Sequence, residues 1–161
     1  MEIIRPLTNI VSNRVKNWAE IKKEAWELKA FLDAKKFDGY WKDAYAISHA
    51  QVSAEPKSFF VVNKKVYKQF GSWCVVNCRI IKKSEPCTFQ EGCMSFMFRD
   101  EKRVNRFAKI TVVYWTPFLN LFLIPRRKTF QNKVGEDARS ICAFIVQHEI
   151  MHSEGRNIYG L

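Results

Sequence analysis

Toward its C-terminal end the chain reads His148-Glu149-Ile150-Met151-His152. Four residues turn an α-helix by about 400°, so two imidazoles at this spacing project from nearly the same side, one turn apart. Two neutral imidazoles so placed can bind one divalent ion, and Glu149, one step round the helix, can reach a water on the open side of that ion. The alternative is two buried, satisfied histidines beside a surface glutamate. The chain holds only 3 histidines, and two of them stand in this motif. Metal binding is therefore the favoured reading.

Two imidazoles do not complete a site, and the third ligand has to be found. Zinc proteases with this motif usually take it downstream of the second histidine. The run from His148 to Gly155 resembles the start of the metzincin pattern H-E-x-x-H-x-x-G-x-x-H, but Ile158 occupies the place of its last histidine. Glu154 is too close to fold back onto the same ion. An upstream ligand is expected, and the candidates are His49, Cys74, Cys78, Cys87, Cys93 and the acidic groups.

Cys93 stands within Glu91-Gly92-Cys93-Met94-Ser95, and the histidine motif is preceded by Gln147. These two stretches resemble the E-G-C-L-S and Q-H-E-x-D-H signatures of peptide deformylases. Ala44 to Gln51, AYAISHAQ, is similar in position to that family's G-x-G-x-A-A-x-Q, and Val75-Val76-Asn77 resembles its V-x-N-P strand. The likeness covers roughly residues 40 to 160. It implies Cys93, His148 and His152 as ligands of one divalent ion, Fe(II) first, with Zn(II), Ni(II) or Co(II) as substitutes. It implies Glu149 as the general base, and Gln51 with the N–H of Met94 as donors to a developing oxyanion.

The substrate so implied is the N-formyl group on the initiator methionine of nascent chains. A methionine side chain needs an apolar pocket beside the metal. Phe144 and Ile145 lie four and three residues before His148 and share its helix face. Ala46 and Ile47, with Tyr45, are further candidates for the substrate groove, and Arg106 resembles a family arginine that follows the second signature. Alanines at 44 and 46 replace glycines, His49 replaces a small residue, and Met151 replaces an acidic one. His49 is expected to be packed or hydrogen-bonded rather than a ligand. Two other readings stay open: a related hydrolase acting on another N-acyl peptide, or a basic ribosome- or RNA-binding protein that keeps a structural metal site.

The elements that must position these groups follow from the apolar pattern. Trp18, Ile21, Ala25, Leu28 and Leu32 form one stripe, which predicts a core-packed helix over 14–34. FDGYWKDAY, residues 37–45, reads as a loop. Strands are predicted over 58–63, 72–81, 109–115 and 119–124, with Thr116-Pro117 as the hairpin connection. The basic stretch 99–109 reads as an exposed loop or solvated strand edge. A last helix is predicted over 136–152, started by Glu136 and Asp137 and apolar all round at 141–146, hence buried. The expectation is one α+β domain over residues 1–161: N-terminal helix, mostly antiparallel sheet, buried C-terminal helix.

Bulk properties agree with that outline. The 161 residues are 47% hydrophobic and include 13 Phe, 5 Trp and 5 Tyr, which argues against disorder. No apolar run approaches the ~18 residues of a membrane span, and no secretory signal is evident. Five cysteines cannot all pair within one chain, and no disulfide framework shows, so a reducing, cytoplasmic setting is expected; a monomer is expected as well. The balance of 27 Lys and Arg against 16 Asp and Glu, a net charge of +11, favours polyanionic partners such as ribosomal RNA without identifying one.

Overall fold

The computed structural model describes residues 1–3, 10–35, 44–93, 101–132 and 141–159. Its centre is a five-stranded antiparallel sheet in the order β1-β2-β3-β6-β7, with β1 Ala46–Ser48, β2 Phe59–Val62, β3 Cys74–Lys83, β6 Lys109–Phe118 and β7 Phe122–Gln131. A separate two-stranded sheet pairs β4 Pro86–Glu91 with β5 Lys102–Phe107. Helix α1 spans Trp18–Lys35, α2 is the short Tyr67–Phe70, and α3 spans Cys142–Ser153. This is the expected α+β architecture.

The apolar runs of β1, β2 and the start of β3 are continuous rather than alternating because both sheet faces are covered there. Side chains still alternate by strand geometry. Phe59, Val61, Cys74 and Val76 join the cluster under α1, while Phe60, Val62, Val75, Val112 and Tyr114 join the cluster that includes Ala143 and Val146 of α3. The stripe of α1 is fully seated: Trp18, Ile21, Ala25, Leu28 and Leu32 are all buried. The start of this helix is capped by Asn17, whose Oδ1 accepts from Glu20 N at 3.1 Å, while Glu20 Oε2 accepts from Lys16 N at 2.8 Å.

Several sequence expectations need correction. Thr116-Pro117 is not the hairpin connection but lies inside β6, paired with Ile124 and Leu123. The pairing of β6 with β3 reaches only to Trp115, so the missing N–H of Pro117 lies where no β3 neighbour needs it. The turn is made instead by Leu119 and Asn120, both at positive φ (50° and 56°). Asn120 Oδ1 accepts from Trp18 Nε1 at 3.0 Å and Trp26 Nε1 at 3.3 Å, which fastens the hairpin tip to α1. The basic stretch contains a strand, β5, and its partner β4 was not anticipated. The expected helix start at Glu136 and Asp137, and the 37–43 part of the expected loop, lie outside the described residues. No helix among the described residues is long and apolar enough to cross a membrane.

A short 3-10 turn, His49–Gln51, follows β1 and is fixed by a reciprocal cap. Ser48 Oγ accepts from Ala50 N at 3.3 Å, and Gln51 Oε1 accepts from Ser48 N at 3.0 Å. His49 is buried here, stacked on Phe59 with ring centroids 4.7 Å apart. Its Nδ1 accepts from Lys57 N at 3.0 Å, so the neutral ring carries its proton on Nε2, which faces Glu24 Oε2 at 3.5 Å. Burial holds its pKa below 6.5, although Glu24 opposes this. A base depressed in the folded state contributes stability above its unfolded pKa, and that stability is lost as pH falls below about 6.5. Denaturant unfolding of the protein and of His49→Gln between pH 7.5 and 5.5 checks this. The histidine form is expected to lose more stability over that range, by at most about 1.4 kcal/mol per pH unit.

Candidate metal centre

Three elements converge beside the sheet edge formed by β1. Helix α3 supplies His148 and His152, the chain just beyond β4 supplies Cys93, and the 3-10 turn supplies Gln51. The potential ligand atoms of Cys93, His148 and His152 all lie within 4.8 Å of one another. His152 Nε2 is 3.1 Å from His148 Nε2 and 3.3 Å from Cys93 Sγ. Among the described residues no other group of three His, Cys, Asp or Glu side chains gathers in this way. His49 is not part of the cluster.

His148, one of the candidate ligands, is aimed by a neighbour. His148 Nδ1 lies 2.8 Å from Glu91 Oε2, which places the ring proton on Nδ1 and leaves Nε2 for an ion. Glu91 is in turn gripped by Arg106, whose Nε and Nη2 each donate at 2.7 Å. Burial alone would raise the pKa of Glu91, but hydrogen bonds from His148 and Arg106 hold it below the ordinary carboxylate range. Burial likewise favours neutral His148, yet its contacts with Cys93 and Glu91 outweigh this and push it up to about 10. A cation arriving there displaces a proton. His152 is driven well below its usual value, first by burial and then by His148.

Glu149 follows His148 on α3. It is buried, and its Oε2 has no hydrogen-bond partner. Burial raises its pKa to about 7, partly offset by His148 and by a main-chain hydrogen bond at Ser48. Gln51 is buried with Oε1 committed to Ser48 N, so its Nε2 turns toward Cys93 Sγ at 4.0 Å. The carboxamide of Gln147 donates to Phe107 O and accepts from Phe107 N, both at 2.8 Å, and this locks α3 to β5. A thiolate and two imidazoles, with a buried carboxylate oxygen left over, fit a four-coordinate catalytic ion that keeps one position open.

The remaining sequence-named residues divide. Phe144 is buried and stacks on Phe89 of β4, with centroids 4.1 Å apart. Ile145 and Ala46 are buried in the α3-side cluster. The Ile47 side chain belongs to the cluster under α1, because it alternates away from Ala46 along β1. Its side chain therefore does not line a pocket on the α3 side. Arg106 has its guanidinium committed to Glu91. Met94 lies outside the described residues. Sequence reasoning quoted Glu91 inside a motif without assigning it a role, and it missed Phe89. An acidic residue two positions before a cysteine ligand was the available signal for Glu91.

Comparison with known proteins gives one family. The model described as "Polypeptide deformylase" matches residues 4–160. Among solved structures, the chain is similar to the deformylase of the Vibrio parahaemolyticus bacteriophage VP16T in complex with actinonin. That match has a TM-score of 0.72 and 19% identity, over 98% of this chain and 100% of that one. The Thermotoga maritima peptide deformylase matches with a TM-score of 0.71 and 20% identity, over 98% and 94% of the two chains. The Plasmodium falciparum enzyme matches with a TM-score of 0.70 and 22% identity, over 97% and 83%. A search of curated protein sequences returned no match.

Two substitutions test the arrangement of the site. Cys93→Ser is expected to lose bound metal, because a hydroxyl is a poor ligand at neutral pH, while Cys74→Ser and Cys142→Ser retain it. Glu91→Gln is expected to weaken metal affinity about 10–100-fold, since it removes the carboxylate that orients His148. Metal analysis and chelator competition on the purified variants measure both. Stoichiometric, tightly held metal in Cys93→Ser would assign the third ligand elsewhere.

Proposed function

Because the chain belongs to the polypeptide deformylase family, we propose that it hydrolyses the N-formyl group from the initiator methionine of nascent polypeptides, using one divalent ion held by Cys93, His148 and His152. Fe(II) is the proposed native ion, with Zn(II), Ni(II) or Co(II) able to replace it; a mixed thiolate and imidazole set accepts all of these. When bound, the ion supplies Lewis acidity and lowers the pKa of water.

The protein's own groups do the rest. The single observation that carries the reading is the orphaned, buried Oε2 of Glu149, the residue that directly follows the candidate ligand His148. A carboxylate so placed takes a proton from the attacking water as its oxygen bonds to the formyl carbon. The same carboxyl then delivers that proton to the nitrogen as the C–N bond breaks, releasing formate and a free amine. Gln51 Nε2, pre-aimed by the Ser48 contact, donates to the carbonyl oxygen as negative charge develops on it. The main-chain N–H of Met94 is the second proposed donor. Phe144 with Phe89, and Ile145, form the proposed apolar wall for the methionine side chain. Arg106 acts through Glu91 and positions His148 rather than touching substrate.

Turnover of a formyl-Met tripeptide by anaerobically purified, iron-loaded protein is the direct assay, with the acetyl-Met tripeptide as its control. Rapid formate release from the first substrate only is expected. Glu149→Gln is expected to keep stoichiometric metal while losing about 10²-fold or more in kcat, because the amide keeps the shape but not the basicity. Near-normal turnover in that variant would contradict the assigned role. Faster hydrolysis of the acetyl substrate would move the proposal to a different N-acyl group.

A further inference from the structure

On the sheet face opposite α3, a cavity of about 640 Å³ opens between the N-terminal segment and strands β3, β6 and β7. Arg14, Arg79, Arg126 and Arg127 line it together with Ser12 and Trp115, and among the described residues no acidic side chain does. Arg126 is turned away, with Nε on Thr116 Oγ1 at 3.2 Å and its guanidinium over Gly71. The other three arginines are exposed and have no hydrogen-bond or ion-pair partner among the described residues. Uncompensated guanidiniums gathered around a concavity repel one another, and an anion relieves that cost.

The register defines the geometry. Arg79 pairs with Val113, and Val113 pairs with Arg127, so the two arginines straddle β6 on one face. Their backbones are two strand spacings apart, ~10 Å, a gap that two long side chains can close on one phosphate. Trp115 lies two residues along β6, ~7 Å away on the same face, flanked by Pro125 of β7. Its indole has no aromatic or hydrogen-bonding partner among the described residues. A phosphate at the guanidiniums therefore leaves a flat ring within stacking distance of the indole.

The cavity is pre-formed. Asn77, at positive φ where β3 bulges against β6, accepts from Val15 N at 2.9 Å and donates to Val15 O at 2.7 Å. Ser58 N donates to Asn13 O at 2.7 Å, and Asn13 N to Pro56 O at 2.8 Å. The segment carrying Ser12 and Arg14 is thus fixed at the rim. Ser12 Oγ is buried there without a hydrogen-bond partner.

We propose that this cavity binds a nucleoside phosphate, with the phosphate held by Arg79, Arg127 and Arg14 and the base stacked on Trp115. The unit can come from a free nucleotide or from single-stranded nucleic acid. Isothermal titration with AMP, with adenosine, and with a 5′-phosphorylated tetranucleotide separates these sources. Saturable AMP binding that weakens with salt, with adenosine bound at least about tenfold more weakly, is expected. The Arg79→Gln/Arg127→Gln double variant is expected to lose about tenfold or more in AMP affinity while keeping formyl-peptide hydrolysis, which reports that it is folded. If the tetranucleotide binds with the same sensitivity to the double variant, the phosphate comes from nucleic acid; if only AMP does, the ligand is a free nucleotide. Equal binding of adenosine and AMP, or unchanged AMP binding by the double variant, overturns the proposal.

Discussion

One buried carboxylate ties the site to the fold. Glu91 ends β4, takes two hydrogen bonds from Arg106 on β5, and meets His148 on α3. It also stands two residues before Cys93. The group that sets the tautomer of one candidate ligand thus sits on the same short segment as another. A buried ion pair of this kind adds little net stability, since desolvating both charges roughly cancels their attraction. What it contributes is geometry: removing either partner leaves the other charge buried and unpaired, so the three elements keep a single arrangement.

The rest of the fold serves that convergence. The five-stranded sheet is covered on both faces at its β1–β2 end, and one face holds α3 against Val112, Tyr114 and Ala46. Gln147 fastens α3 to β5 through both main-chain groups of Phe107, so the two-stranded sheet carrying Glu91 cannot move independently of the histidines. On the β1 side, the Ser48 cap turns the amide of Gln51 into the site. Cys93, Met151 and Ile158 form a small apolar cluster of their own, which covers one side of the candidate centre. Met151 therefore packs where the family pattern has an acid, and Glu91 supplies the polar support for His148.

The parts legible in the sequence were those encoded locally. The stripe of α1 and the two histidines of α3 depend on spacings of three and four residues, and both appear as read. The strands were legible as apolar runs, but their ends were not. Pro117 looked like a turn residue, yet it is tolerated inside β6 because β3 has already stopped pairing there. The real turn uses Leu119 at positive φ, a position that leucine does not advertise. The β4–β5 pair was hidden for a different reason: it is short, polar on its outer face and buries little. For Glu91 the sequence offered only its place two residues before Cys93; its partners lie 15 and 57 residues away, a relation that only the folded chain creates.

The proposed centre holds one cation by one sulfur and two imidazole nitrogens, with a fourth position open to solvent. X-ray absorption at the metal edge of the zinc-substituted protein tests it most directly. One sulfur at about 2.3 Å, two imidazole nitrogens at about 2.0–2.1 Å and one further light atom are expected. A shell without sulfur, or one closed by four protein ligands, would contradict it.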